Sequence, residues 1–427
     1  MQYQIKAVVQ LCLTWVLLMG AVAMADPLTL TAAVDEAQAS NPGLAAIQAR
    51  AQAVAEIPSQ AAALPDPLLS VNVSGLPLDS FSFTQEAMTQ WQIGITQALP
   101  YPGKLALRSQ AAAHDADAAG SAFDEGRLQL IRDVKTVWWN LFYLDRALDT
   151  VARNLVLLKQ FVDIAETRYQ VGKGLQQDIL LAQLELSKLR DSAIGLHNMR
   201  VNEAARLNVL LGRSLDQMIQ IPAVVSEALP SLFDESVLLA HSEVRRPGMA
   251  AQRQRMAAAR SRVALAEKDH APDFTLGAIY AARQGENADG SRRADLGSVN
   301  FSMNLPFYSG RKQSRAVDQR NAEWLQQKYQ LDEIHNQVAA EIMTARNDYR
   351  QASEQVVLFK REIIPLAHQT VDAMLAGYQS GKIDFLDLIG SQTTLYNYET
   401  QYWKAISRAN QALSRLEAAV GEENIYE

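Results

Sequence analysis

The polar residues of this chain that recur in both type and spacing surround two glycines. The segment YQVGKGLQQDILLAQ from Tyr169 returns as YQSGKIDFLDLIGSQ from Tyr378, shifted by 209 positions. Each copy sets a tyrosine ahead of a glycine (Gly172, Gly381), followed by a lysine (Lys173, Lys382), a carboxylate (Asp178, Asp387) and a glutamine (Gln183, Gln392). Asp384 adds a second acid to the later copy. Such groups at a chain reversal can hydrogen-bond or dock a partner, and they also solvate an ordinary turn. Covalent catalysis has no support elsewhere: there is no Ser-His-Asp signature, no phosphate-cradling glycine loop and no His-Glu-x-x-His. No enzymatic activity and no cofactor are expected.

Metal and nucleic-acid chemistry are equally poorly provided for. The six histidines are scattered without a His-x-His or His-x-x-x-His pair, and the methionines form no cluster, so no metal site can be written. The single cysteine, Cys12, excludes a disulfide framework and a thiolate site. A net charge of -7 with no basic tract argues against nucleic acid, whose phosphates demand a clustered cationic surface.

The elements that must carry these turns follow from an internal duplication. Beyond the turn segments, the same shift pairs Leu186 with Leu395, Arg206 with Arg415 and Gly212 with Gly421. Pro42-Gly43 matches Pro247-Gly248, and LPYPGK from Leu99 matches LPFYSGR from Leu305. The chain therefore reads as a signal peptide at 1–25, a first repeat at 26–212, a linker at 213–245, a second repeat at 246–421 and a tail at 422–427. The signal reading rests on Lys6, the apolar run Ala7 to Met19 and the small-residue site Ala23-Met24-Ala25. No cysteine follows that site, which argues against a lipoprotein.

Each repeat opens with an alanine-rich helix, 43–63 or 248–269, and ends in two long helices. In the first copy Val134, Val137, Leu141, Leu144, Leu148, Val151, Leu155, Leu158, Val162, Ala165 and Tyr169 step by threes and fours, a coiled-coil seam. From Gly103 to Tyr169 no proline intervenes, so the helix runs about 100 Å at 1.5 Å per residue. The seam resumes after Gly172, which makes a helical hairpin with its turn near 172, and a second turn is expected near 381. Pro365 should kink the second hairpin.

Between the short and long helices lie alternating runs at 68–76, 90–99, 273–281 and 298–307. Their length and dyad pattern suit transmembrane β-strands, with soluble hairpins as the other reading. Four strands cannot close a membrane barrel, so strands that span would require oligomerisation.

These residues carry a resemblance to the TolC-type outer-membrane efflux duct family of Gram-negative bacteria. It covers the mature chain and is most specific in GYQSGKIDFLDLIGSQTTLYNYE from Gly377 and in Leu416 to Gly421. The resemblance implies an α+β membrane protein: coiled-coil hairpins forming a periplasmic α-barrel, and four strands per protomer contributing to a 12-stranded outer-membrane β-barrel in a homotrimer. Implied partners are outer-membrane lipid, a periplasmic adaptor and an inner-membrane pump of the resistance-nodulation-division type. The PDP segment at Pro65 and the YPGK segment at Tyr101 look most similar to the heavy-metal cation branch. Ducts for drugs or secreted protein stay open, as does a soluble periplasmic coiled-coil scaffold.

By position, the resemblance makes Tyr378 and Asp178 a closing hydrogen bond and Asp387 a carboxylate ringing the periplasmic gate. The family's basic latch residue falls on Ile383 and its second ring acid on Gly390, leaving Asp384 to substitute for the latter. Gly172, Lys173, Gly381, Lys382, Gln183 and Gln392 are the expected hairpin-tip and adaptor-docking residues.

Overall fold

The computed structural model describes residues 27–423, 425 and 426. The expected signal peptide lies outside the described residues. In chain order the elements are α1 (Leu30–Ser40), α2 (Pro42–Ala55), α3 (Ile57–Ala62), β1 (Leu68–Ser74), β2 (Gln90–Leu99), α4 (Lys104–Gln170) and α5 (Gln176–Leu211). The second half adds α6 (Glu235–Arg245), α7 (Pro247–Lys268), β3 (Phe274–Arg283), β4 (Leu296–Met303), α8 (Gln313–Leu358), a π-helical turn (Phe359–Ile363), α9 (Ile364–Gln379) and α10 (Phe385–Val420). Among the described residues no helix is long and apolar enough to cross a membrane.

Several boundaries correct the sequence reading. The expected helix 43–63 divides into α2 and α3 at Glu56, ahead of Pro58, which has no N–H to give to a continuing helix. The linker expected at 213–245 ends in α6, the counterpart of α1, so the second repeat begins with a helix at Glu235. Strand β4 stops at Met303 instead of 307, before Pro306 removes a ladder donor. The predicted kink at Pro365 takes the form of the π-turn Phe359–Ile363 immediately upstream. A wider turn there relieves the clash of the proline ring with the preceding carbonyls.

The chain forms two compact units, and neither coincides with a repeat. One comprises Pro42–Gln129, Leu232–Thr344 and the chain from Leu416. Its sheet is antiparallel in the order β1-β2-β3-β4. The register aligns Leu69, Ile95, Ala278 and Val299, and next to them Val71, Ile93 and Tyr280. These side chains share one face, while Ser70, Asn72, Gln92, Thr96, Thr275, Ser298 and Asn300 share the other. The apolar face is the bare one, with Val71 at 69% and Val299 at 79% exposure. At the sheet's end, Lys104 is buried and bridges Asp269 (3.0 Å) and Asp273 (2.9 Å), which fixes the start of α4 against the start of β3. Asp273 also accepts the Tyr101 backbone N–H at 2.8 Å. The C-terminal residues are tied into this unit: Phe233 N–H donates to Ile425 O, and Ile425 is buried.

The other unit comprises the described residues up to Asn41, Leu130–Ser231 and Ala345–Arg415. It holds the helical hairpins α4–α5 and α9–α10, except α4 up to Gln129 and α10 from Leu416. Its core runs through Leu144, Ala147, Val151, Leu158, Phe161 and Ala165 of α4, Ala182, Leu189 and Leu196 of α5, and Tyr378, Phe385, Leu388 and Ile389 of the second hairpin. The buried stripe on α4 is broader than one seam. Val137, Leu148, Leu155 and Val162 are half-buried, whereas Trp138, Ala147, Asn154 and Phe161 are fully buried. A helix with one partner buries one seam. This one meets its own return helix and also the second hairpin.

Candidate functional site at the hairpin tips

Both hairpins reverse through the same backbone device. Gly172 has φ +73° and Gly381 φ +76°, the left-handed region that glycine enters without steric cost. Around the first, Gly172 N–H donates to Tyr169 O (3.0 Å) and Lys173 N–H to Arg168 O (2.8 Å). Around the second, Gly381 N–H donates to Tyr378 O (3.0 Å) and Lys382 N–H to Gly377 O (2.9 Å). Both are Schellman closures that satisfy the last carbonyls of α4 and α9.

The side chains hung on these equivalent turns have different surroundings. Tyr378 is buried and its hydroxyl donates to Asp178 Oδ2 at 3.2 Å; Asp178 is itself buried in the first turn of α5. The Tyr378 ring packs on Phe385, with centroids 5.0 Å apart. Burial, reinforced by the Asp178 carboxylate, pushes the Tyr378 phenol up to about 12, against the opposing pull of Arg168.

Arg168 is the residue that sequence reasoning missed. Its guanidinium lies 4.7 Å from the Tyr378 ring centroid and donates to the carbonyls of Tyr378 (2.5 Å), Gln379 (2.7 Å) and Lys173 (3.0 Å). One side chain thus clasps the end of α9 to the turn of the first hairpin. Ile383, where the resemblance placed a basic latch, instead packs against the apolar cluster. The positive charge therefore comes from the first hairpin. A signal was present: Ala147, Asn154, Phe161 and Arg168 recur every seven residues, one stripe along α4.

Gln392 is also placed differently from expectation. It is only 3% exposed and donates to Asn154 Oδ1 at 2.5 Å, so it ties the hairpins together and is not available as a docking surface. Beside it a cavity of about 500 Å³ is lined by Asn154, Leu189, Gly390 and Tyr396 among others. Its repeat counterpart Gln183 is exposed, as are Gly172, Lys173, Gly381 and Lys382. Asp384 and Asp387 lie at the start of α10 and are exposed. Neither approaches Tyr378 as a partner. Among the described residues no group of three or more His, Cys, Asp or Glu side chains could hold a metal ion.

The sequence model of the outer membrane efflux proteins matches residues 33–213 and 238–422. The chain belongs to the outer-membrane efflux protein family. Among curated relatives, this efflux protein is 22% identical to the cobalt-zinc-cadmium resistance protein CzcC of Cupriavidus metallidurans, over 93% of the chain and 91% of the relative. Its fold is that of solved outer-membrane channels. CusC superposes with a TM-score of 0.79 at 16% identity, covering 93% of each chain. VceC of Vibrio cholerae gives 0.78 at 20% identity, covering 92% of this efflux protein and 96% of the other.

Proposed function

We propose that three copies of this chain form the outer-membrane exit duct of a tripartite efflux system. The observation that carries the reading is the bare apolar face of the sheet. A sheet in water hides its apolar face; here Val71, Ile95, Val299 and Phe301 on the apolar face are exposed, as are Asn72, Ser298 and Asn300 on the polar face. That arrangement suits lipid outside and a polar lumen within. The outer strands β1 and β4 each keep an unpaired edge. An open edge is intolerable in hydrocarbon, and three four-stranded sheets joined edge to edge give twelve strands without one.

In this reading the helical hairpins line a periplasmic conduit, and the exposed Lys173, Lys382 and Gln183 near their turns face a periplasmic adaptor, itself bound to an inner-membrane pump of the resistance-nodulation-division type. Similarity to CzcC over most of both chains supports divalent heavy-metal cations as cargo. Asp387, with Asp384 a turn before it, rings the gate, where threefold symmetry concentrates carboxylates and favours cations. Planar-bilayer conductance of the detergent-solubilised protein, with native mass from the same sample, tests the duct. A trimer with discrete cation-selective channels is expected, and a detergent-independent, non-conducting monomer defeats the reading. Asp387→Asn should weaken block of the single-channel current by divalent cations; undiminished block removes Asp387 from the gate.

A further inference from the structure

The two hairpins are built alike, yet one chain completes only one of the two contacts they can make. Asp178 follows Gly172 by six residues and Asp387 follows Gly381 by six; Tyr169 and Tyr378 each precede their glycine by three. With matching turn backbones, the first hairpin presents Tyr169 where the second presents Tyr378, and the second presents Asp387 where the first presents Asp178. Within the chain, the tyrosine of the second hairpin meets the aspartate of the first. The remaining tyrosine and aspartate find no such partner: Tyr169 is 48% exposed, Asp387 is exposed, and neither side chain hydrogen-bonds to any described residue.

Two complementary unfilled positions, one on each hairpin of a chain, allow a head-to-tail contact, which closes into a ring when the copies return to the start. We infer that, in the threefold assembly proposed above, the Tyr169 hydroxyl of one copy donates to the Asp387 carboxylate of the next, repeating between chains the Tyr378–Asp178 bond made within each. The inference rests on that threefold reading. The occupant is a second copy of this chain, because the face required to meet Asp387 is the one this chain itself displays at Tyr169.

The contact between copies lacks one element of the contact within them. The position equivalent to Arg168 is Gly377, so no guanidinium reaches over the Tyr169 ring or its carbonyl. Hence the boundary between copies is the weaker of the two and the one that parts first.

The test uses the full-length, detergent-solubilised protein carrying Tyr169→Cys with Asp387→Cys, treated with bismaleimidoethane. Both side chains are exposed in the single chain, so neither substitution disturbs its packing. The expected result is a covalent band at three times the single-chain mass, whereas Asp178→Cys with Tyr378→Cys, joined within one chain, gains no mass. A native trimer in which the Tyr169/Asp387 pair adds no mass overturns the pairing and leaves the assembly standing. A native monomer overturns the threefold reading itself, and the pairing with it.

Discussion

The two hairpin tips share a turn, a tyrosine and an aspartate at equivalent positions, yet Tyr378 is 3% exposed and Tyr169 48%. The shared turn motif does not separate them. What differs is the neighbour: the first hairpin lies against the Tyr378 side of the second, while the described residues leave Tyr169 about half exposed. Burial at these tips is therefore a property of the assembly order of the hairpins, not of the turn. The difference also identifies where charge matters, since Arg168 has its repeat counterpart in Gly377 and only one of the two contacts has a clasp.

The largest asymmetry should come from that clasp. Arg168→Ala removes charged hydrogen bonds to Tyr378 O, Gln379 O and Lys173 O together with the ring contact. Losing them should cost about 2–3 kcal/mol, roughly a thirtyfold to 150-fold shift toward an unclasped tip. Gly377→Arg, aimed at the other contact, should move the equilibrium the opposite way. Single-channel open probability checks both, and equal open probability in wild type and Arg168→Ala would reduce the two tips to the same kind of contact.

Next in size is Tyr378→Phe, which leaves the Asp178 carboxylate buried without its hydroxyl donor, at about 1–3 kcal/mol. Tyr169→Phe removes no hydrogen bond made among the described residues, so it should leave the thermal stability of the single chain unchanged and alter only the threefold assembly proposed above. Alkali gives the same contrast without mutation. The Tyr378 phenol is raised from 10 to about 12 by burial and by Asp178. For a raised pKa, the stabilisation is intact below pH 10 and is lost as the pH rises toward 12. Ultraviolet phenolate absorbance of wild type minus Tyr378→Phe should show that late titration, and a difference spectrum complete near pH 10 would contradict it.

The sequence made the scaffold legible because its signals are periodic. The 209-residue shift locates both turns, and dyad alternation locates strands whose register then follows from the exposed Ile93, Ile95 and Val299. It left Arg168 unread because a charged residue late in a coiled-coil helix looks like a solvated one until a second helix arrives to use it. Gln392 failed for the complementary reason: an amide near a turn reads as surface, and only the approach of Asn154 from α4 makes it interior. The helix inside the expected linker was missed because Pro222 and Pro230 mark a break, and Glu235 begins just beyond it. Pairings between repeats depend on which faces meet, and a one-dimensional pattern does not record that.

The smallest expected effect concerns the turns themselves, where the tips should come closest to equality. Alanine at Gly172 or Gly381 must adopt a positive φ, a strain of about 1 kcal/mol in either place. Space barely distinguishes them: a Cβ at Gly172 meets nothing within 4 Å, and one at Gly381 meets only Arg168 Nη2 at 3.5 Å, an ordinary contact. Gly172→Ala and Gly381→Ala should therefore lower the melting temperature by the same few degrees. If Gly381→Ala proves clearly worse, and the excess disappears when Arg168→Ala is added, the clasp is sensitive to sub-ångström displacement and the turn must be counted as part of it. If the excess survives that second substitution, the two turns are not the equivalent scaffolds on which the comparison of the tips depends.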